Sequence, residues 1–149
     1  MATGTISKED TKTEIDSIIN SLNTGITEVS PAGVSVPTNT LKNIASISVK
    51  KGMNLIIGNA SFASDASTMG LRQIGIAEST TSEGWANVGI RRVRAAYTDG
   101  TVISICCLYN ASANKTLYLN VKHTHGTAIT VTGRIQAYNL RAWIKVGGI

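Results

Sequence analysis

The chain has 149 residues, a length that fits one domain and leaves little room for two. Hydrophobic residues make up 42% of it, which is enough for a core and excludes wholesale disorder. Charged residues are only 15%, and 14 Ser, 18 Thr and 11 Asn take their place. This composition is typical of a sheet protein with many turns, and it excludes a helical bundle and a long coiled coil.

The net charge of +5 is unevenly distributed along the chain. Residues 1–30 carry a net charge of −3, and residues 31–149 carry +8. Basic residues in the second part are scattered, apart from Arg91, Arg92 and Arg94. On a strand these three do not share one face, so they form no broad basic patch and we predict no nucleic-acid partner.

The first predicted element is a short helix near the N-terminus. Apolar residues recur there at spacings of three and four, namely Ile15, Ile18, Ile19, Leu22 and Ile26. Thr11 or Thr13 could cap the helix, and Pro31 forbids its continuation. So short a helix cannot bury this stripe alone. It packs either on the following domain or on copies of itself, and isoleucine-rich seams favour three or more copies.

From residue 41 onward the hydrophobic period changes to two, which predicts strands. The predicted strands are 41–49, 53–62, 71–77, 85–96, 101–109, 116–121, 128–132 and 136–146, with turns between them that include Gly126 and Gly133. Eight short strands at this spacing predict an all-β sandwich or barrel. We therefore divide the chain into an N-terminal anchor with a Pro/Gly linker (1–37) and a β-sandwich head (38–149).

Four segments resemble strands of a known family. They are KGMNLIIG (51–58), LRQIGI (71–76), the pair KTLYLNV (115–121) and GTAITV (126–131), and LRAWIKV (140–146). They are similar to the trimeric jelly rolls of the complement globular-head and tumour-necrosis-factor type, and more closely to head domains of bacteriophage fibre or decoration proteins. The resemblance covers about two thirds of the chain. It implies a jelly-roll sandwich of about eight strands that forms a homotrimer, with the N-terminal segment docking on other virion proteins.

The two histidines form a candidate metal site. His123 and His125 are separated by one residue, so on a strand both side chains project to one face. Two imidazoles on one face can share a metal ion. The resemblance adds that three such pairs would surround a threefold axis. The alternative is a polar pair beside the turn at Gly126, and no resident cofactor is otherwise predicted.

No catalytic motif is present, and we predict that the protein is not an enzyme. There is no Gly-x-Ser-x-Gly elbow, phosphate-binding glycine loop or His-Glu-x-x-His sequence. The adjacent Cys106 and Cys107 are predicted to be free thiols, because neighbours on a strand point to opposite faces. A dyad of either cysteine with His123 is disfavoured, since both cysteines lie in mid-strand.

Trp85 and Tyr97 are candidate glycan contacts, because aromatic rings near Asn- and Asp-rich turns can stack on a sugar. The alternative is that Trp85 packs over the end of the sandwich. The N-terminus lacks the pattern of a signal peptide, and the longest apolar stretch, residues 102–109, is too short to cross a bilayer.

These observations predict a non-enzymatic virion protein that is made in the host cytoplasm without membrane insertion. Its predicted role is that of a trimeric bacteriophage tail-fibre tip that binds a host surface glycan. One alternative is a trimeric capsid decoration or head-fibre protein. A second is a soluble cellular lectin-like module.

Overall fold

A computed structural model describes residues 11–17, 26–64, 70–83, 88–95 and 100–140 of the chain. Residues 11–17 are helical. Nine strands follow: β1 (Ile26–Val29), β2 (Val34–Val36), β3 (Lys42–Val49), β4 (Gly52–Phe62), β5 (Gly70–Ala77), β6 (Gly89–Ala95), β7 (Thr101–Ala111), β8 (Lys115–His123) and β9 (Ile129–Asn139).

The strands form two antiparallel sheets that pack as a sandwich. Sheet A has the order β1-β9-β4-β7, with β2 also paired to β9, and sheet B has the order β3-β8-β5-β6. From β2 to β9 the chain crosses from one sheet to the other at every step except from β5 to β6. This is the strand order of a jelly roll, as the sequence predicted.

The core lies between the sheets and follows the period-two pattern. Along β4 every second residue is buried, and β7 and β9 repeat this alternation opposite it. The fully buried apolar side chains include Ile56, Phe62, Ile74, Ile76, Leu117, Leu119 and Ile135. Burial of each such side chain contributes about 1.5–3 kcal/mol, so the core largely determines the fold.

Two short strands were not predicted. β1 and β2 pair in turn with β9 and together form one edge of sheet A. Ile26, predicted to lie in the helical stripe, is the first residue of β1 and pairs with Tyr138. The prediction failed because Pro31 and Gly33 break the segment into pieces of four and three residues, too short for a clear period. The division after residue 37 stays a prediction, although residues 26–29 and 34–36 are paired with β9.

The predicted turn at Gly133 is wrong, and the strands predicted on either side of it are one strand, β9. Gly133 pairs with Ala60 in the middle of sheet A. A Cβ at Gly133 would lie 2.5 Å from the carbonyl oxygen of Asn59 and 2.7 Å from Cδ1 of Ile44. The glycine thus allows a close approach between β9 and its neighbours rather than a change of direction.

The sandwich has two ends, which we name for the path of the chain. The entry end is where Ile26 pairs with Tyr138 and where β8 starts at Lys115. The far end is where β2 ends at Val36 and β8 ends at His123. Candidate side chains lie at both ends and on the outer face of sheet A.

Candidate functional site

The two histidines lie inside the far end of the sandwich, where His123 is 1% exposed and His125 is fully buried. Their ring centroids are 5.7 Å apart. Nε2 of His123 donates to the carbonyl oxygen of Val36 across 2.7 Å. Its Nδ1 accepts from the backbone N–H of His125 across 3.2 Å. Both ring nitrogens of His123 are therefore engaged by the backbone.

Arg72 completes this cluster and is itself fully buried. Its Nε donates to Nε2 of His125 across 3.2 Å, and its Nη1 donates to Oγ1 of Thr101. The guanidinium carbon lies 5.9 Å from the ring centroid of Phe62. Since Nε2 of His125 accepts from a cation, that nitrogen carries no proton. We call Arg72, His123 and His125 the buried basic cluster.

The geometry of the buried basic cluster bears on the predicted metal ion. An ion shared by both rings would have to displace the hydrogen bond that His123 accepts or the one that it donates. Among the described residues, no group of three or more His, Cys, Asp or Glu side chains is arranged to hold a metal. The metal site stays a prediction, and the hydrogen bonds of the two histidines are those of a structural cluster.

A second polar group lies at the entry end, around Glu78. Oε1 of Glu78 accepts from the hydroxyl of Tyr109 across 2.5 Å, and Oε2 pairs with Nζ of Lys115. The hydrogen bonds from Lys115 and Tyr109 lower the pKa of Glu78. The bond to Glu78 raises the pKa of Lys115, whereas burial is the main cause of a raised pKa at Tyr109. This group is an ion pair that ties β7 and β8 to the loop after β5.

Two arginines of the run, Arg91 and Arg92, are engaged within the chain. Nη1 of Arg91 donates to the carbonyl oxygen of Ser104 across 2.9 Å. Arg92 donates to Oε1 of Gln73 and to Glu83, and Glu83 also binds Lys122. These contacts hold β6 to β5 and β7 and link it to the loop before it.

The two cysteines are free thiols, as the sequence predicted. Cys106 is exposed on the outer face of sheet A, whereas Cys107 is half-buried. Burial, together with the neighbouring Cys106, raises the pKa of Cys107 to about 11. The buried basic cluster contacts Thr101, six residues from Cys107 along β7, a distance of about 20 Å in a strand. A dyad of Cys107 with His123 is therefore excluded by geometry.

Several predicted positions fall outside the described residues. Trp85 and Tyr97, the candidate glycan contacts, precede and follow β6 and lie outside it on both sides. Of the isoleucine stripe, Ile18, Ile19 and Leu22 also lie outside the described residues. Ile15 lies in the helix and is 49% exposed.

The outer face of sheet A carries a groove of about 290 Å³ that sequence reasoning missed. Short polar side chains on β4 and β9 form its floor, and Val102 of β7 stands on one side of it. The loop between β1 and β2 stands on the other side. Its lining includes the side chains of Pro31, Asn59, Ser61, Val102, Thr132 and Arg134. They come from four separate parts of the chain, so no local motif could have revealed the groove.

No protein-family model and no curated protein sequence matches the chain. Among the described residues, no helix has the length and apolar character needed to cross a membrane.

Solved structures share its fold. The infectious bursal disease virus T13 particle matches with a TM-score of 0.57 at 7% identity, over 76% of this chain and 30% of that one. The VP2 subviral particle of the same virus matches with a TM-score of 0.50 at 9% identity, over 76% and 32%. A carbohydrate-binding module from Cellvibrio mixtus lichenase 5A, in complex with cellotriose, has a TM-score of only 0.40 at 12% identity, over 74% and 86%.

This chain spans about a third of the length of the viral proteins that it matches. At these identities the likeness concerns the fold alone, and the value for the carbohydrate-binding module is too low to support an argument. The jelly-roll strand order and the viral matches agree with each other. The chain therefore has a jelly-roll fold similar to that of a protein in a virus particle.

Proposed function

We propose that this chain is a non-enzymatic structural protein of a virus particle. The observation that carries the proposal is the jelly-roll strand order, which the chain shares over 76% of its length with a protein of an icosahedral virus particle. The polar groups described at both ends of the sandwich support a structural role, because they join strands to one another.

Within the particle, we propose that the chain is the head of a bacteriophage fibre and binds a carbohydrate on the host surface. The resemblance of five strand segments, in four pieces of the chain, to phage fibre heads motivates this assignment. The path of the chain also suits it. The chain enters the sheet at the entry end with Ile26, and β4, β6 and β8 end at the opposite end of the sandwich. An anchor at the entry end would leave the far end exposed to a host cell.

A homotrimer is part of this proposal. Near the entry end, the outer face of sheet A carries exposed apolar side chains, with Leu108 63% exposed and Met53 39% exposed. The rest of the outer face is made largely of uncharged polar residues, which suit wet contacts between subunits. Light scattering on the purified chain tests this part, and we expect a mass of about three times the 15.7 kDa of one chain. A monomer would contradict both the trimer and the fibre.

A second candidate is a trimeric decoration protein of the capsid. The viral matches favour it, because both are to proteins of particles rather than of fibres. In this case the acidic N-terminal segment, with a net charge of −3 over residues 1–30, would dock on a basic surface of the shell.

Co-sedimentation separates the two candidates. The labelled full chain is mixed with host cells and, in parallel, with capsids stripped of the chain. Fibre-type attachment predicts that the cells retain the chain and that soluble host polysaccharide competes for it. A decoration role predicts that the capsids retain it and that about 0.5 M salt weakens binding, since ionic contacts between exposed groups are screened. Retention by neither would contradict both candidates.

A further inference from the structure

We infer that the groove on the outer face of sheet A binds a single hexose unit of a carbohydrate. This inference rests on the proposed attachment function and assigns its site. The groove exists because the side chains of its floor are short: Asn59 and Ser61 on β4 and Thr132 on β9. Nearer the entry end, the longer side chains of Ile57 and Gln136 occupy the same face. Its volume of about 290 Å³ is near the lower limit of about 300 Å³ for small-molecule sites.

The chemistry of the floor matches a sugar better than an anion. β4 pairs with β7 on one side and with β9 on the other. The backbone N–H groups beneath the groove are therefore hydrogen-bonded within the sheet. A ligand must therefore be recognised by side chains. Hydroxyl and amide groups both donate and accept hydrogen bonds, as sugar hydroxyls do, whereas a phosphate requires donors alone.

The groove is amphipathic in the way that a pyranose is. Val102, which is 69% exposed, and Pro31, which is half-buried, offer apolar surface on opposite sides of the polar floor. The C–H face of a sugar ring can pack on such surface while its hydroxyls reach the floor. Arg134 adds hydrogen-bond donors at the margin, and no carboxylate lines the groove among the described residues.

Asn59 is held in place before any ligand arrives. Its Oδ1 accepts from the hydroxyl of Ser104 across 2.6 Å, and the carbonyl oxygen of Ser104 accepts from Arg91 across 2.9 Å. A polar group already fixed by its neighbours loses less side-chain entropy on binding. Asn59 is therefore the residue that we expect to contribute most to orienting the sugar.

The test is a titration of the isotope-labelled full chain with galactose, N-acetylglucosamine and glucuronic acid. Binding is measured from changes in the NMR chemical shifts of the backbone amides. We expect at least one sugar to shift amides clustered at residues 59–61, 102–104 and 132–134. Ser61→Phe, which fills the groove, should abolish these shifts, and Asn59→Ala should weaken binding about tenfold. No shift with any of the three sugars, or shifts clustered elsewhere, would overturn the inference.

Matched variants on the same face control for changes in the fold. Asn110 is exposed on β7, eight residues from Val102, so Asn110→Phe adds the same ring about 26 Å away. Val102→Ala should weaken sugar binding about threefold, whereas Leu108→Ala, on an equally exposed apolar residue of β7, should not. The assignment would be contradicted if Ser61→Phe and Asn110→Phe weakened sugar binding equally. It would also be contradicted if Val102→Ala and Leu108→Ala did so.

Retention on host cells, measured with the same variants, separates the inference from the proposed function. Retention of both the parent chain and Ser61→Phe would place the binding site elsewhere and leave the attachment function standing. If the parent chain is not retained although sugars shift the groove amides, the attachment function fails and the groove assignment stands.

Discussion

Arg72 donates a hydrogen bond from Nε to Nε2 of His125 across 3.2 Å, and neither residue is exposed to solvent. A buried cation is costly unless polar groups surround it. The far end of the sandwich supplies such groups in His125 and Thr101, together with the ring of Phe62. The cluster thus allows a charged residue to lie in a position of β5 that faces the core.

Replacement of His125 by phenylalanine should destabilise the fold. The ring volume is nearly conserved, but Arg72 loses an acceptor that it cannot replace with water. A hydrogen bond to a charged group contributes about 1.5–3 kcal/mol, and we expect a loss of this size in the free energy of unfolding. Urea denaturation measures it, with Ser112→Ala in the exposed loop after β7 as the control. Equal midpoints for His125→Phe and the parent chain would refute a stabilising role.

Glu78 should make stability fall in acid. Its pKa is lowered from 4.5 in the folded chain by the bonds from Lys115 and Tyr109. A carboxyl with a lowered folded pKa stabilises the fold above its unfolded pKa, and this contribution is lost as the pH falls through the folded pKa. The difference in melting temperature between the parent and Glu78→Gln should be constant near neutrality and shrink below about pH 4.5. A difference that does not change with pH would contradict the assignment.

The two cysteines should differ in reactivity. At pH 8 a thiol with a pKa of about 11 is about one-thousandth thiolate, so Cys107 should react slowly with iodoacetamide. Cys106 is exposed and should be modified first. Mass spectrometry of the folded chain should show one adduct on Cys106, and a second should appear only after denaturation. Simultaneous modification of both would show that the half-buried position of Cys107 is wrong.

Gly133→Ala should weaken the centre of sheet A. The added Cβ would lie 2.5 Å from the carbonyl oxygen of Asn59, a backbone atom that cannot turn away. Overpacking of this kind costs about 1–3 kcal/mol. Gly100→Ala is a suitable control, because its nearest atom, the carbonyl oxygen of Phe62, lies 3.3 Å away. We expect the lower melting temperature for Gly133→Ala, and the reverse order would contradict the close approach of β9 and β4.

The sequence predicted most of the strands in which apolar residues recur with a period of two. β3, β4, β5, β7 and β8 match the predicted segments to within two residues, because one buried face is enough to mark a strand. The errors lie where one residue type is compatible with two different local structures. Glycine is typical of turns, but Gly133 allows a close approach between strands. Proline interrupts the period-two pattern at Pro31, so the two short strands on either side of it were not predicted.

The candidate sites were harder to predict than the strands. His123 and His125 were recognised as a pair, but nothing local showed that Arg72, 51 residues before His123, would be buried against them. The groove depends on the pairing of β4 with β9, which brings Ser61 opposite Thr132. Contacts of this kind follow from topology, and period-two patterns carry no information about which strands become neighbours.

The pairing of β1 with β9 also has a mechanical consequence. The chain reaches the sheet at Ile26, beside Tyr138, and runs along β9 toward the far end. A pull between the N-terminal segment and the far end acts along β1, so its hydrogen bonds to β9 are loaded together, in shear, rather than one after another. β9 in turn is bonded along β4 from Asn54 to Phe62, which spreads the load into the middle of the sheet. A particle component held by its N-terminal segment would thus resist tension at its attachment point with a whole sheet, although the strand that receives the force has only four residues.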